Sequence, residues 1–170
     1  MKEKKYAKNN EIKYFIMEIA IVVIVIIVDQ IVKLRVESHI PEGQMISFIR
    51  GFIDITFVKN TGAAFGMFSN SIIFLLIIRS IMAIAIVVLL IKYQKKLNLL
   101  LKISMSFILA GALGNLLDQF FLGYVRDMFS FAFVEFAIFN VADICITLGT
   151  ISLIIELLLK REKEVTVKSK

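Results

Sequence analysis

Four apolar runs set the pattern of the chain, with polar intervals of unequal length between them. The runs fall at residues 14–28, 72–91, about 97–117 and about 140–159. Twenty helical residues at about 1.5 Å each cover the roughly 30 Å hydrocarbon core of a bilayer. The first run is shorter and gains length from about three residues on its amino side. Lys2, Lys4, Lys5, Lys8 and Lys13 precede it. A basic segment before an apolar run also opens a secretory signal peptide. Here no small-x-small cleavage site follows, and the run leads straight into Asp29-Gln30-Ile31-Val32-Lys33. An uncleaved first transmembrane helix is therefore predicted.

Residues 34–70 form the one long polar interval. Within it, Phe52, Asp54, Thr56 and Val58 alternate with Ile53, Ile55, Phe57 and Lys59. This is a strand period in a β-branched and aromatic stretch, predicted over 46–59. Pro41-Glu42-Gly43 marks a turn before it, and Asn60-Thr61-Gly62-Ala63-Ala64-Phe65-Gly66 a turn after it. Ser69 or Asn70 is placed to cap the second helix. Residues 120–138 read as a second, aromatic-rich loop with room for a short interfacial helix. Phe120, Phe121, Phe129, Phe131, Phe133 and Phe136 suit a lid on lipid or an interfacial anchor. The expected fold is an α-helical integral membrane protein with four transmembrane helices, a small extracytoplasmic β-sheet and a second outer loop or interfacial helix. It forms one membrane-embedded domain over residues 1–170, with basic tails at about 1–10 and 161–170, the latter mobile.

Composition supports that reading. Of the 170 residues 59% are hydrophobic, more than a soluble domain of this size keeps from water, and mean hydropathy is +0.86. The net charge of +6 matters less than its distribution. Fourteen of the twenty lysines and arginines lie in the amino tail, around 92–102 and in the carboxyl tail. The positive-inside rule then places both termini in the cytoplasm and the two polar loops outside. Topology accounts for the basic charge, so nucleic-acid binding has no support. The single cysteine, Cys145, precludes an internal disulfide and reads as a packing residue. No metal-ligand spacing, nucleotide loop, serine-nucleophile motif or long repeat is present, so neither metal nor cofactor is expected.

The candidate chemistry is carried by acids at the outer ends of the apolar runs. Asp143, in Phe139-Asn140-Val141-Ala142-Asp143, opens the fourth run, and Asp127 lies sixteen positions upstream. An ionised, unpaired aspartate in a membrane helix costs roughly 2.5–3.5 kcal/mol at mid-bilayer and less near the surface. Two carboxylates near one membrane face can share a proton and activate water. Gly111, Asn115 and Asp118 recur on one helix face. Gly111 and Gly114 would admit a neighbouring helix, and Asn115 could orient a carboxylate or a carbonyl. Packing with an interfacial cap explains the same spacing. Asp29 and Lys33 can pair along one helix turn, as a helix-end ion pair or as part of a site. Asn60 reads as site or turn, and Arg79 either snorkels or faces the site. His39 reads as an uninvolved surface residue.

Several of these pieces in order resemble the lipoprotein signal peptidases (signal peptidase II). They are Asp29-Gln30-x-x-Lys33, the 60–66 segment, Gly111-x-x-Gly114-Asn115-x-x-Asp118, Val125-x-Asp127-Met128-Phe129 and the 139–143 segment. The resemblance covers nearly the whole chain. It implies an aspartic endopeptidase of the bacterial cytoplasmic membrane that removes the signal peptide from diacylglyceryl-modified prolipoproteins, cutting before the lipid-bearing cysteine. By the same resemblance Asp127 and Asp143 are the catalytic pair. Asn60, Asn115 and Asn140 are polar supports, with Asp29, Lys33, Gly111 and Asp118 around them. Partners implied are the lipid-modified prolipoprotein and membrane phospholipid, acting on a monomer open to globomycin-like cyclic peptides.

The chain departs from the resembled pattern at two positions. Gln119 stands where arginine usually follows the aspartate of the third motif, and Arg126 where an apolar residue is usual. A bidentate cation is lost at 119, which Arg126 or Arg79 can replace. Otherwise the chain is an inactive or altered-specificity paralogue. A small ion- or proton-coupled transporter is the alternative from another class, against which the acids sit at helix ends and no inverted repeat shows.

Overall fold

Three of the four apolar runs carry isoleucine, leucine and valine on every face. The third is different, with Ser104, Ser106, Ala110, Gly111, Ala112 and Gly114 along its length. Small side chains let neighbouring backbones approach, so this helix is suited to the centre of a bundle. The computed structural model describes residues 2–62 and 72–168. Its elements in order are α1 (Lys2–His39), β1 (Met45–Ile49), β2 (Ile53–Asn60), α2 (Ile72–Tyr93), α3 (Leu99–Leu122), β3 (Val125–Phe131) and α4 (Val141–Lys168). Among the described residues four helices are long and apolar enough to cross a membrane: Glu11–His39, Ile73–Tyr93, Leu99–Leu122 and Val141–Arg161. The apolar window of α3 is 67% buried, against 11% for α1 and 17% for α2 and for α4. So α3 is the post on which α1, α2 and α4 pack. The others turn side chains such as Ile24 and Ile84 outward, where lipid would cover them.

The approach of α4 to α3 depends on glycine. A Cβ on Gly111 would collide with the Ala142 carbonyl oxygen, and one on Gly149 would lie 2.7 Å from the Ser104 carbonyl oxygen. Asn98 caps α3, its Oδ1 accepting from Leu101 N at 2.9 Å, and its amide also reaches Glu156 of α4. Gly123 ends α3 in the left-handed conformation, φ 77°. Ala83, Ile86 and Leu90 of α2 interlock with Met105, Ile108 and Leu109 of α3.

The expected sheet is present, but the single strand expected over 46–59 turns at residues 50–52 into two, β1 and β2, and a third strand joins them. Its order is β1-β2-β3, antiparallel throughout. The third strand comes from the 120–138 segment, read as a loop with room for a short interfacial helix; it holds the end of α3, a strand and a loop. The first four residues of β3 are buried on both faces. With both faces covered there is no apolar–polar alternation, and the buried charges Arg126 and Asp127 interrupt any apolar run, so the strand is hidden in the sequence.

Three helices outrun their predicted ends, α3 by about five residues to Leu122. α1 continues through Asp29 and Lys33 to His39, because Val36 and Ile40 pack under the sheet against Phe57 and Met128. α4 continues to Lys168, so the tail expected to be mobile carries on as helix, as does the amino tail from Lys2. The expected helix cap at Ser69 or Asn70 lies outside the described residues, as does most of the 61–66 turn.

Candidate active site

Side chains alternate across a strand, so Arg126 and Asp127 of β3 point to opposite sides. Asp127 faces a cavity of about 480 Å³ above the bundle, shared with Asp143. The loop after β3 folds back on it. Phe129 and Phe139 exchange backbone hydrogen bonds at 2.8 and 3.0 Å, and this fixes Asn140 beside Asp127. Asn140 then starts α4. Its Oδ1 accepts from Asp143 N at 3.0 Å, while Asp143 Oδ2 accepts from Asn140 N at 3.1 Å. This is a reciprocal capping box, with Asp143 at the position glutamate often fills. The same four residues begin the helix and hold the second carboxylate.

Three asparagines join the carboxylates. Asn60 Nδ2 donates to Asp127 Oδ2 at 2.7 Å, and Asn140 Nδ2 to Asp127 Oδ1 at 2.6 Å. Asn115 Nδ2 donates to Asp143 Oδ1 at 2.8 Å. Asn140 Nδ2 also donates to Asn115 Oδ1 at 3.1 Å, which closes the link from one acid to the other. Each asparagine is oriented by another bond. Gly62 N donates to Asn60 Oδ1, and Lys33 Nζ to Asn115 Oδ1, both at 2.9 Å. Asp127 is 2% exposed. Burial first, and the charge of Asp143 next, push its carboxyl up to about 7 against the pull of Asn60 and Asn140.

Beneath this link lies a buried charge cluster. Lys33 Nζ is 2.8 Å from Asp29 Oδ2 and 3.4 Å from Asp118 Oδ2. Asp29 Oδ1 accepts from Ala142 N at 2.9 Å, so an anion from α1 sits at the first turn of α4. A Cβ on Gly114 would come within 2.8 Å of Asp29 Oδ2, which is why that turn of α3 carries no side chain. Asp118 accepts three bonds from Arg126: N at 3.0 Å, Nε at 3.1 Å and NH2 at 2.7 Å. It thereby fixes the backbone one residue before Asp127. Arg126 also bonds Glu37 at 3.0 Å and Gln30 at 2.8 Å. Burial draws its pKa down, but the bonds to Asp118 and Glu37 outweigh this and hold it above its ordinary value.

Arg79 is the cation that reaches the cavity. It lines the wall with both aspartates, Asn60 and Asn115, and its NH1 donates to Gln119 Oε1 at 2.6 Å. Of the two arginines weighed against the change at 119, Arg126 is engaged in the charge cluster and Arg79 bonds position 119 itself. The aromatic segment divides. Phe131, Phe136 and Phe139 form a ring cluster on the cavity wall, with centroids 5.1–6.4 Å apart. Phe133 stacks on Phe52 at 5.4 Å. Phe120 and Phe121 are 71% and 74% exposed at the end of α3, away from the cavity lining. His39 is exposed, with Nδ1 2.8 Å from the Arg35 carbonyl oxygen, and Cys145 is buried in α4. Among the described residues no cluster of His, Cys, Asp or Glu is set to hold a metal ion.

The structure thus brings together Asp29, Lys33, Asn60, Asn115, Asp118, Gln119, Asp127, Asn140 and Asp143, with Gly111 supplying space. Glu37 was missed. Its signal was the four-residue spacing Asp29, Lys33, Glu37, which places all three on one helix face once α1 is allowed to continue.

The chain is similar to known proteins over most of its length. The family described as Signal peptidase (SPase) II matches residues 21–159. A lipoprotein signal peptidase of Clostridium acetobutylicum is 40% identical over 151 residues, 87% of this chain and 97% of that protein. One from Fusobacterium nucleatum is 35% identical over 162 residues, 95% and 98% of the two chains. A bacterial membrane enzyme solved by the in meso method at 2.3 Å superposes with a TM-score of 0.81 at 36% identity, covering 86% of this chain and 90% of its own.

Proposed function

The chain belongs to the signal peptidase II family, and we propose that it removes lipoprotein signal peptides as an aspartic endopeptidase, with Asp127 and Asp143 as the catalytic pair. The observation that carries the reading is the asparagine link. It holds two carboxylates at one cavity without a counter-cation bonded to either among the described residues. Like charges that close cannot both ionise cheaply, so the pair keeps one proton near neutral pH. Asp127, which titrates at about 7, fits such a pair.

The ionised carboxylate takes a proton from water as the water oxygen attacks the scissile carbonyl. The protonated partner donates to the carbonyl oxygen, giving a gem-diol. Collapse breaks the C–N bond: one gem-diol hydroxyl returns its proton to the carboxylate that is now ionised, while the other carboxyl gives its proton to the leaving amide nitrogen. The proton count is restored, and no covalent enzyme intermediate forms.

The substrate is a prolipoprotein carrying diacylglyceryl on the cysteine after the cut. Its acyl chains would lie along apolar residues of the cavity wall such as Ile144 and Leu148. Phe131, Phe136 and Phe139 would cover it. The basic 92–102 segment and both basic tails support cytoplasmic termini, with the cavity and sheet toward the outer face. Family membership leaves the transporter alternative without support.

The test is cleavage of a purified lipidated prolipoprotein, followed by gel shift. Asp127→Asn and Asp143→Asn should each abolish turnover while the protein stays folded and membrane-inserted. Near wild-type turnover in either variant would remove that residue from the pair. The unlipidated cysteine form should be cut far more slowly, because binding energy from the acyl chains positions the scissile bond. Equal cleavage of both forms would refute the lipid-dependent part.

A further inference from the structure

Arg79 stands about two turns into a helix that is otherwise isoleucine, leucine, valine, alanine, methionine and phenylalanine over its membrane length, with Ser80 beside it. Arginine at such a position is expensive and is kept where it faces a site or a polar partner. Its neighbours Ile77, Ile78 and Ile81 are exposed to the lipid side, whereas Arg79 is half-buried and turned inward. It crosses to α3 and meets Gln119 Oε1 at 2.6 Å. Both aspartates line the same cavity as Arg79. Yet among the described residues neither lies within ion-pair distance of it. A guanidinium has five N–H donors in a rigid fork, and the described bond uses one.

We propose that Arg79, braced by Gln119, is the substrate-positioning cation of this cavity and receives carbonyl oxygens of the lipidated peptide beside the scissile bond. The inference rests on the aspartic-peptidase reading and adds a substrate contact to it. The ligand class follows from charge. A pair of acids that carries a net negative charge repels an anionic group entering the same cavity. A neutral acceptor meets no such penalty, and amide and ester carbonyls are what a lipid-linked peptide brings there. Gln119 accepts from one arm of the fork, which sets its plane and leaves the other arm toward the cavity. Removing the fork should weaken substrate binding more than it slows the chemical step.

The experiment measures KM and kcat on lipidated prolipoprotein for Arg79→Gln, Arg79→Lys and the exchange Arg79→Gln/Gln119→Arg, each checked for wild-type melting. Binding of the same substrate is measured in an Asp127→Asn background, where nothing is turned over. Arg79→Gln should raise KM and Kd about tenfold or more, with kcat changed by less than about threefold. Arg79→Lys keeps the charge without the fork, and should raise KM at least about threefold. The exchange moves the guanidinium across one hydrogen bond, and should recover most of the lost affinity. A purely structural arginine would not be rescued in this way. Unchanged KM in Arg79→Lys, or an exchange variant that binds no better than Arg79→Gln, overturns the proposal. Should Arg79→Gln fail to fold, the lysine variant decides alone. Turnover surviving in Asp127→Asn would instead sink the catalytic-pair reading, while the KM values would still report on Arg79.

Discussion

Asp127→Asn should make the protein less stable than wild type in mild acid and more stable above neutrality. The wild-type carboxyl is 2% exposed, and it titrates at about 7 in the folded chain against 3.8 for the free group. The folded state therefore holds the proton more tightly than the unfolded one. The sign follows: the contribution is fully present below about pH 3.8 and is lost as pH rises through about 7. At about 1.4 kcal/mol per pH unit the whole span is worth about 4 kcal/mol. Asparagine does not ionise and escapes this loss, but it carries a cost of its own. Both Asp127 oxygens accept, from Asn140 Nδ2 at 2.6 Å and Asn60 Nδ2 at 2.7 Å, so the new amide sets its NH2 against one of these donors. Neither partner can turn freely, because Asn60 Oδ1 is held by Gly62 N and Asn140 Oδ1 by Asp143 N. A buried mismatch of this kind costs about 1–3 kcal/mol. Melting curves in detergent, taken from about pH 4 to 8.5, should therefore cross between about pH 4.5 and 6, where the two effects balance. Titration of groups outside the pair is common to both proteins and cancels. Curves that run parallel over this range would mean that Asp127 titrates alike in the folded and unfolded chain, and would refute the reasoning.

Gly111→Ala and Gly114→Ala should both lower the melting temperature, at a cost of about 1–3 kcal/mol each from overpacking. They should differ in activity: the Gly111 methyl meets the Ala142 carbonyl and Ile146, while the Gly114 methyl meets Asp29 Oδ2 and should also reduce turnover. Lys33→Met removes the cation between Asp29 and Asp118 and should cost about 3–5 kcal/mol by thermal unfolding. Adding Asp29→Asn should recover part of that loss, and no recovery would show that the two charges are not coupled. Reporter fusions after Gln94 and Lys170 should read cytoplasmic, and fusions near Glu42 and Ser130 external. An external carboxyl terminus would break the proposed topology.

The helices were legible because each is a long apolar run, and the signal grows with length. Their ends were less so. The continuation of α1 to His39 is decided by Val36 and Ile40 meeting Phe57 and Met128, contacts between segments far apart in the chain. β3 was invisible for the related reason that burial on both faces removes the alternation that marks a half-exposed strand. Asp127 and Asp143 stood out because membrane segments rarely keep such groups. Their asparagine partners were named through a resemblance, since nothing in an asparagine's own sequence context says where its amide will point. The division of labour between Arg79 and Arg126 could not be read at all. It depends on which face of β3 meets α1, and that is fixed by pairing with β2.

Asp29 and Lys33 find each other within one turn of α1, with no other element needed. This bears on how the protein is made. The ribosome delivers α1 well before α3, so Asp29 and Lys33 enter the membrane before Asn115, Asp118, Arg126 or the Ala142 amide exists to receive them. A solitary aspartate or lysine at mid-helix costs about 2.5–3.5 kcal/mol to insert. A helix that carries its own counter-ion can be threaded first and wait. Each later segment then brings what the preceding ones lack: α3 an acid for the shared lysine, β3 an arginine for that acid, and α4 a backbone amide for Asp29. The buried charges are met in the order in which the chain is synthesised.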